Sequence, residues 1–413
     1  MDVARIHTSE STRATLRLHW LPSICIAALA GGVGYSGIGA WLCVAPLFAI
    51  AWGMTLTRRH AFLVAATYYA MAGRGLFHGG GVFFAGVDTP LSQSLPWGAL
   101  VWLAPSLILA LIWAACWSPK RLALRTLAAL TIVSVPPFGL VGWANPLASA
   151  GFWFPAFSWA GLALMVSSFL ALTHLGRAWA TGGEGRGQWR WPAVLVGLSA
   201  LSGFFANAVW TPPQHPTGWK AVQTHLSRAD GWRALQAIQD GVALAVEQHA
   251  RVVILPEAVG GDWELNKLFW ADSIPLLKRK GVTVLIGAER PLDHRRSINA
   301  LMTFGMEGEQ EWSERVPVPL GMWNPLSSTR HIVADWGGSG VRLVAGKKVT
   351  YLICYEQLLM WPVLVSAMHG PQAIIGASNL WWASGTTIPG IQRSTLDSWG
   401  RLFDVPVLLA TNS

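Results

Sequence analysis

Up to about residue 210 the chain reads as a succession of apolar segments, each near the ~17–25 residues that cross a bilayer. They lie near 20–38, 40–56, 61–86, 96–117, 121–143, 150–175 and 190–210. The first two are joined so tightly, at Gly37 to Trp41, that they also fit a re-entrant hairpin. Paired glycines such as Gly31-Gly32 and the run Gly79 to Gly81 suit close packing between such helices. The linker T-P-P-Q-H-P-T-G (Thr211 to Gly218) then ends helical patterning and marks a domain boundary. Beyond it, β-branched runs alternate with amphipathic ones. The pattern predicts helices over 232–250, 264–280, 358–369 and 388–403. Strands are predicted over 251–255, 282–287, 298–305, 349–353, 373–377 and 405–410. This order implies a layered α/β domain over 211–413, behind a membrane domain over 1–210 with about seven transmembrane helices.

Charge sharpens the picture. Only 12% of the 413 residues are charged and 52% are hydrophobic, against roughly 25% charged in an average soluble protein. The 25 tryptophans suit membrane interfaces. The net charge of +9 comes from short clusters between apolar runs, which is a topology signal and not a nucleic-acid footprint. Basic residues occupy alternate loops: Arg5, Arg13 and Arg17; then Arg58 and Arg59; then Lys120, Arg121 and Arg125; then Arg177, Arg186 and Arg190. The intervening loops carry none, and one holds Asp88. The positive-inside rule therefore predicts a cytoplasmic N-terminus and, after an odd number of spans, a C-terminal domain on the periplasmic face of a bacterial inner membrane. No A-x-A site follows the first apolar run, which reads as an uncleaved span.

Two strings carry candidate chemistry. V-V-I-L-P-E-A ends on Glu257 and Ala258, and Y-L-I-C-Y-E is centred on Cys354. Each is a buried-strand run that stops at a reactive side chain, as when a parallel strand delivers a catalytic group from its C-terminal end. A thiol nucleophile with a carboxylate base is the core of covalent acyl transfer. Glu356, two residues on, is a candidate for shaping the site or positioning an acceptor amine. Cys25, Cys43 and Cys116 lie in apolar runs and read as small buried hydrophobes. No spacing suggests zinc, a disulfide framework, a phosphate-binding loop or a nucleic-acid motif, and the chemistry needs no cofactor.

In these strings, taken with L-I-G-A-E-R (285–290), N-A-L (299–301), V-P-L-G-M-W-N-P (318–325), S-N-L-W-W (378–382) and L-L-A-T-N-S (408–413), the chain resembles the carbon–nitrogen hydrolase (nitrilase) superfamily. With its preceding spans, it looks like the apolipoprotein N-acyltransferases. The resemblance implies an αββα sandwich in which Glu257 is the general base and Cys354 the nucleophile, with a lysine stabilising the oxyanion. That lysine is missing: a gapless alignment of W-S-E-R-V-P-V-P-L-G puts Glu314 in its place, with Arg315 beside it as a substitute cation. An arginine's planar fork is not equivalent to an ammonium. Met322 stands where the acyltransferases have a glutamate, and the matching strings end at Ser413 where those enzymes continue. The chain is therefore more similar to the plasmid conjugal transfer proteins of the TraB type, which implies a role in mating-pair formation or pilin maturation. The expected substrate is a membrane lipid or a membrane-inserted peptide, with other conjugal transfer proteins as partners and no direct nucleic-acid contact.

Two other readings compete. A catalytically degenerate membrane scaffold fits the missing lysine and treats Cys354 as a structural thiol and Glu257 as a helix-starting carboxylate. A transporter is suggested only by Arg74 and His78, four apart in the third apolar run. The plainer account of Arg74 is a side chain reaching for the membrane interface.

Overall fold

The computed structural model describes residues 20–85, 90–182, 189–226, 231–326 and 331–413. Arg5, Arg13, Arg17, Asp88 and Arg186 of the topology argument lie outside the described residues. The chain divides into two compact units, Met1–Trp210 and Thr211–Ser413.

The first unit is helical. Its helices are α1 (Trp20–Gly34), α2 (Phe48–Gly53), α3 (Arg58–Ala72), α4 (Gly75–Phe84), α5 (Leu91–Cys116), α6 (Leu122–Ser134), α7 (Ala150–Trp153), α8 (Ser158–Ala180) and α9 (Arg190–Val209). Among the described residues three of these, α5, α8 and α9, are long and apolar enough to cross a membrane. The other apolar segments are cut shorter than their hydropathy suggested, and prolines and glycines explain where. Gly39–Leu47, with Pro46 inside it, is a 3-10 segment leading into α2. Pro136 and Pro137 follow the end of α6, and Pro155 separates α7 from α8. The third segment breaks at Gly73-Arg74, where the Trp143 ring leaves no room for a β-carbon on Gly73. Arg74 sits in that break and donates to the Met71 carbonyl, and His78 lies exposed on α4.

Small residues set the helix contacts. A β-carbon on Gly176 of α8 would lie 2.2 Å from the Ile50 carbonyl oxygen of α2, and one on Gly98 of α5 would lie 2.1 Å from that of Phe77 on α4. Such approaches are how helices pack where burial from water supplies little drive. Hydroxyls return to their own helix, as Ser106 does to Trp102 and Thr173 to Phe169, which satisfies them without water.

The second unit has two sheets. The first runs β1 (Trp219–Ala221), β2 (Val252–Ile254), β3 (Thr283–Pro291), β4 (Arg296–Gly305) and β5 (Gln310–Ser313), with β6 (His331–Ile332) also paired to β4. Strands β1, β2 and β3 are parallel, and β4 is antiparallel to β3 and β5. The second sheet runs β10 (Val407–Asn412), β9 (Ala373–Asn379), β8 (Lys347–Ile353) and β7 (Val341–Val344). Its first three strands are parallel, and β7 is antiparallel to β8.

Alternation along each strand assigns the layers. Val252, Ile254, Leu285, Leu301 and Trp312 of the first sheet join Val349, Tyr351, Ile353, Ile375 and Leu408 of the second in one buried core between the sheets. The intervening residues Val253, Leu255, Val284, Ile286, Met302 and Phe304 face the other way. They pack under α10 (Gly231–Glu247), α11 (Trp263–Asn266) and α12 (Ser273–Lys280). The second sheet's outer side is covered by α13 (Met360–Ala367) and α14 (Ile388–Phe403). On α14, Ile388, Ile391, Thr395, Trp399 and Leu402 are buried at helical spacing. The unit is thus an αββα sandwich. One expected helix, 264–280, is broken, because Pro275 lacks an N–H and fits only in the first turn of a new helix, α12. That helix closes on Gly281 at φ +68° with three basic residues in its last turn.

Candidate active site

The parallel strands of both sheets end on one cluster. Leu255 and Pro256 carry the chain from β2 to Glu257, and Cys354 follows β8 directly. Asn379 ends β9, Asn299 lies in β4, and Glu314 follows β5. Cys354 has φ +45°, a left-handed conformation that a non-glycine residue adopts at a cost. That turn directs the thiol off the strand end.

The Cys354 thiol and the Glu257 carboxyl are close enough for each to perturb the other. The Glu257 carboxylate is held from both sides: Oε1 accepts from Asn299 Nδ2 at 2.8 Å and Oε2 accepts from the Asn379 main-chain N–H at 3.0 Å. Burial raises Glu257 to about 7, opposed by its hydrogen bonds from Cys354, Asn299 and Asn379. Burial also pushes the Cys354 thiol well above its ordinary range, helped by the Glu257 and Glu314 carboxyls. The resting pair is therefore a neutral thiol against a poised acceptor, and proton transfer has to accompany attack. Gly287 makes the approach possible: a β-carbon there would lie 2.3 Å from Glu257 Cα and 2.4 Å from the Pro256 carbonyl oxygen.

Arg315 and Glu356 do something other than what their positions suggested. Both are fully buried, and they pair with each other, Arg315 Nε donating to Glu356 Oε1 at 3.1 Å. Glu356 also accepts from the main-chain N–H groups of Arg315, Val316 and Ile353. Arg315 spends its remaining donors on the carbonyls of Pro362, Ser339 and Tyr351 and on the Ser366 hydroxyl. The guanidinium's hydrogen bonds go to these partners. Glu356 has both oxygens engaged by the protein's own N–H groups, Oε1 by three donors and Oε2 by the Ile353 N–H. Together they tie the loop after β5 to the turn that carries Cys354. Gly340, at φ +65°, covers the guanidinium at a distance no β-carbon would allow.

The residue that reasoning from sequence passed over is Asn299. It was visible in N-A-L, but nothing local assigns it a role. In the fold its amide nitrogen donates to Glu257 and, at 2.9 Å, to Glu314 Oε2. Glu314 is fully buried, and burial together with the Glu257 and Glu356 charges raises its carboxyl well above the ordinary range. Among the described residues no cluster of three His, Cys, Asp or Glu side chains is placed to hold a metal.

No protein-family model matches the chain. It is 33% identical to the conjugal transfer protein TraB of Agrobacterium fabrum (strain C58), over 98% of this chain and 95% of that protein. It is 32% identical to the probable conjugal transfer protein TraB of Sinorhizobium fredii (strain NGR234), over 96% of this chain and all of that protein. The chain belongs to the TraB family of conjugal transfer proteins. Membership extends across both units, so the helical half is part of what the family shares. Among solved structures the chain is similar to a cysteine mutant of the Nesterenkonia AN1 amidase from the nitrilase superfamily, at 17% identity over 48% of this chain and 78% of that one, with a TM-score of 0.38. A second structure of an amidase from Nesterenkonia gives 16% identity over the same shares, also with a TM-score of 0.38.

Proposed function

We propose that this TraB-family protein is a membrane-resident thiol acyltransferase or amidohydrolase that acts in conjugal plasmid transfer. The observation that carries the reading is a buried Glu257 carboxylate oriented by Asn299 and Asn379 beside Cys354, which sits at a positive-φ turn on a strand end. In the proposed reaction Glu257 takes the thiol proton while sulfur adds to an acyl carbonyl. The tetrahedral intermediate then collapses to a thioester, and Glu257 returns the proton to the leaving group. A water or amine acceptor resolves the thioester with Glu257 again as base.

The membrane setting rests on α5, α8 and α9 and on the alternating basic loops, with the catalytic unit on the periplasmic face. Leu198, Leu201, Phe204, Phe205 and Val209 along α9 are exposed, as a lipid-facing helix requires. The substrate is an acyl donor reaching that face, a phospholipid or a membrane-inserted peptide such as a pilin. The test is the mass of the Cys354 peptide from protein taken out of native membranes, before and after hydroxylamine. An acyl adduct that hydroxylamine removes, and that Glu257→Gln lacks, supports the reading, and its mass names the donor.

A scaffold is the second reading, favoured by one observation: Arg315, the cation nearest in sequence to the lysine position, is committed to Glu356. On that reading Cys354→Ala and Glu257→Gln leave plasmid transfer frequency unchanged. On the enzymatic reading both abolish it.

A further inference from the structure

Three buried carboxyls surround the candidate nucleophile. Glu257 is the proposed base and Glu356 braces the turn, which leaves Glu314. It stands where the nitrilase resemblance calls for lysine. Its Oε2 accepts from Asn299 Nδ2 at 2.9 Å, and the same amide nitrogen donates to Glu257 Oε1 at 2.8 Å. Its Oε1 is buried with no hydrogen-bond partner among the described residues. A bare carboxylate oxygen in the interior is costly, and two carboxylates sharing one amide cannot both stay charged. The economical state is one ionised and one neutral acid. In a neutral Glu314 the proton belongs on Oε1, because Oε2 is already an acceptor.

We propose that Glu314 carries its proton on Oε1 and donates from there to the oxyanion formed when Cys354 adds to an acyl carbonyl, so that an uncharged acid takes the part of an ammonium. This deepens the acyl-transfer reading and rests on it. A carboxylic acid kept neutral by its surroundings is a competent oxyanion donor. The groups facing Glu314 favour the neutral form: Glu257, Glu356 and Glu289 all oppose a further negative charge. Arg315, the adjacent cation, is neutralised by Glu356. The thiol itself senses the Glu314 carboxyl. The exchange has a consequence for the base. An ammonium beside Glu257 would hold it in the ordinary carboxylate range, whereas a neutral acid leaves it at about 7, a stronger proton acceptor.

In the step itself, the S–H proton goes to Glu257, the S–C bond forms, and the carbonyl π pair moves onto oxygen. That oxygen receives a hydrogen bond from Glu314 Oε1, which keeps its proton. When the intermediate collapses, the bond to the leaving group breaks and the oxyanion's pair re-forms the carbonyl.

Two thiol probes separate this role from the nucleophile's. Iodoacetamide alkylates Cys354 at a saturated carbon, with no oxyanion. p-Nitrophenyl butyrate acylates it through one and releases p-nitrophenolate. The ratio of acylation to alkylation is read by mass on the Cys354 peptide of the full-length protein, for variants whose thermal unfolding shows that the fold is kept. Glu314→Ala is expected to lower the ratio by ~10²–10³-fold, the usual effect of removing one oxyanion donor. Glu314→Gln, which keeps an N–H donor, is expected to recover most of it. An unchanged ratio in Glu314→Ala, or Glu314→Gln as slow as Glu314→Ala, overturns the donor role and leaves Cys354 a nucleophile. Wild-type protein that is alkylated but never acylated overturns acyl transfer, and the donor role falls with it. Infrared difference spectra of wild type against Glu314→Gln give a second reading. A protonated-carboxyl band lost in the variant is expected, and its absence from the wild type overturns the assignment.

Discussion

Removing Glu356 should damage the sandwich far more than removing a single buried side chain usually does. Its two oxygens take four donors: the main-chain N–H groups of Arg315 at 2.9 Å, Val316 at 3.2 Å and Ile353 at 2.9 Å, and Arg315 Nε at 3.1 Å. In Glu356→Ala a buried guanidinium loses its counter-charge, a loss of ~3–5 kcal/mol. Three interior N–H groups also lose their acceptor, each worth ~1 kcal/mol or more, with some overlap. A total of ~5–7 kcal/mol follows, and at ~2–4 °C per kcal/mol for a unit of roughly 200 residues the midpoint should fall by ~10–25 °C. Glu356→Gln keeps one oxygen but turns an N–H donor towards another donor, so an intermediate fall is expected. The double variant Arg315→Met with Glu356→Leu removes the charge but leaves the three N–H groups bare. It should recover only the part due to the stranded cation. The assay is thermal unfolding of the full-length protein followed by tryptophan fluorescence, with protection of Cys354 from iodoacetamide at low temperature to show that the thiol stays buried. A Glu356→Ala midpoint within ~2 °C of wild type would refute the brace, because even one orphaned N–H predicts more than that.

Acylation of Cys354 by p-nitrophenyl butyrate should climb as pH passes about 7, where Glu257 loses its proton. Glu257→Gln should be ~10²–10⁴-fold slower without that inflection, which a pH–rate profile checks. The same shift has the opposite sign for stability. A carboxyl raised in the fold binds its proton more tightly there than when unfolded, so its contribution is full at acid pH and is lost as pH rises through about 7. A pH series of unfolding midpoints should flatten in Glu257→Gln. Gly287→Ala puts a β-carbon 2.3 Å from Glu257 Cα, and should cost ~1–3 kcal/mol while slowing acylation more than alkylation. In the helical unit, Gly176→Leu should force α8 from α2, since even a β-carbon would sit 2.2 Å from the Ile50 carbonyl oxygen. A lower yield of folded protein and an earlier melt are the readout, and an unchanged melt would show that the two helices do not meet there.

What could be read from the chain, and what could not, follows from how far each signal reaches. Glu257 and Cys354 close uniform apolar runs, and a run of alternating burial with a reactive end is visible within a few residues. The resemblance rested on several such strings in order, and the relatives align over 98% and 96% of the chain. The spans were overestimated in length because hydropathy does not register a local break. Gly73 and Pro136-Pro137 cost little apolarity and still mark helix ends. Strands β1, β5, β6 and β7 were missed since each has four residues or fewer. The site's charge balance is the deepest case. Arg315 and Glu314 are adjacent in the chain and both fully buried, so sequence offered the arginine as the natural heir to a missing lysine. One faces Glu356 and the other faces Asn299. The cation beside the aligned position is committed to Glu356, so the proposed chemistry is sought in the acid that stands where the lysine was expected.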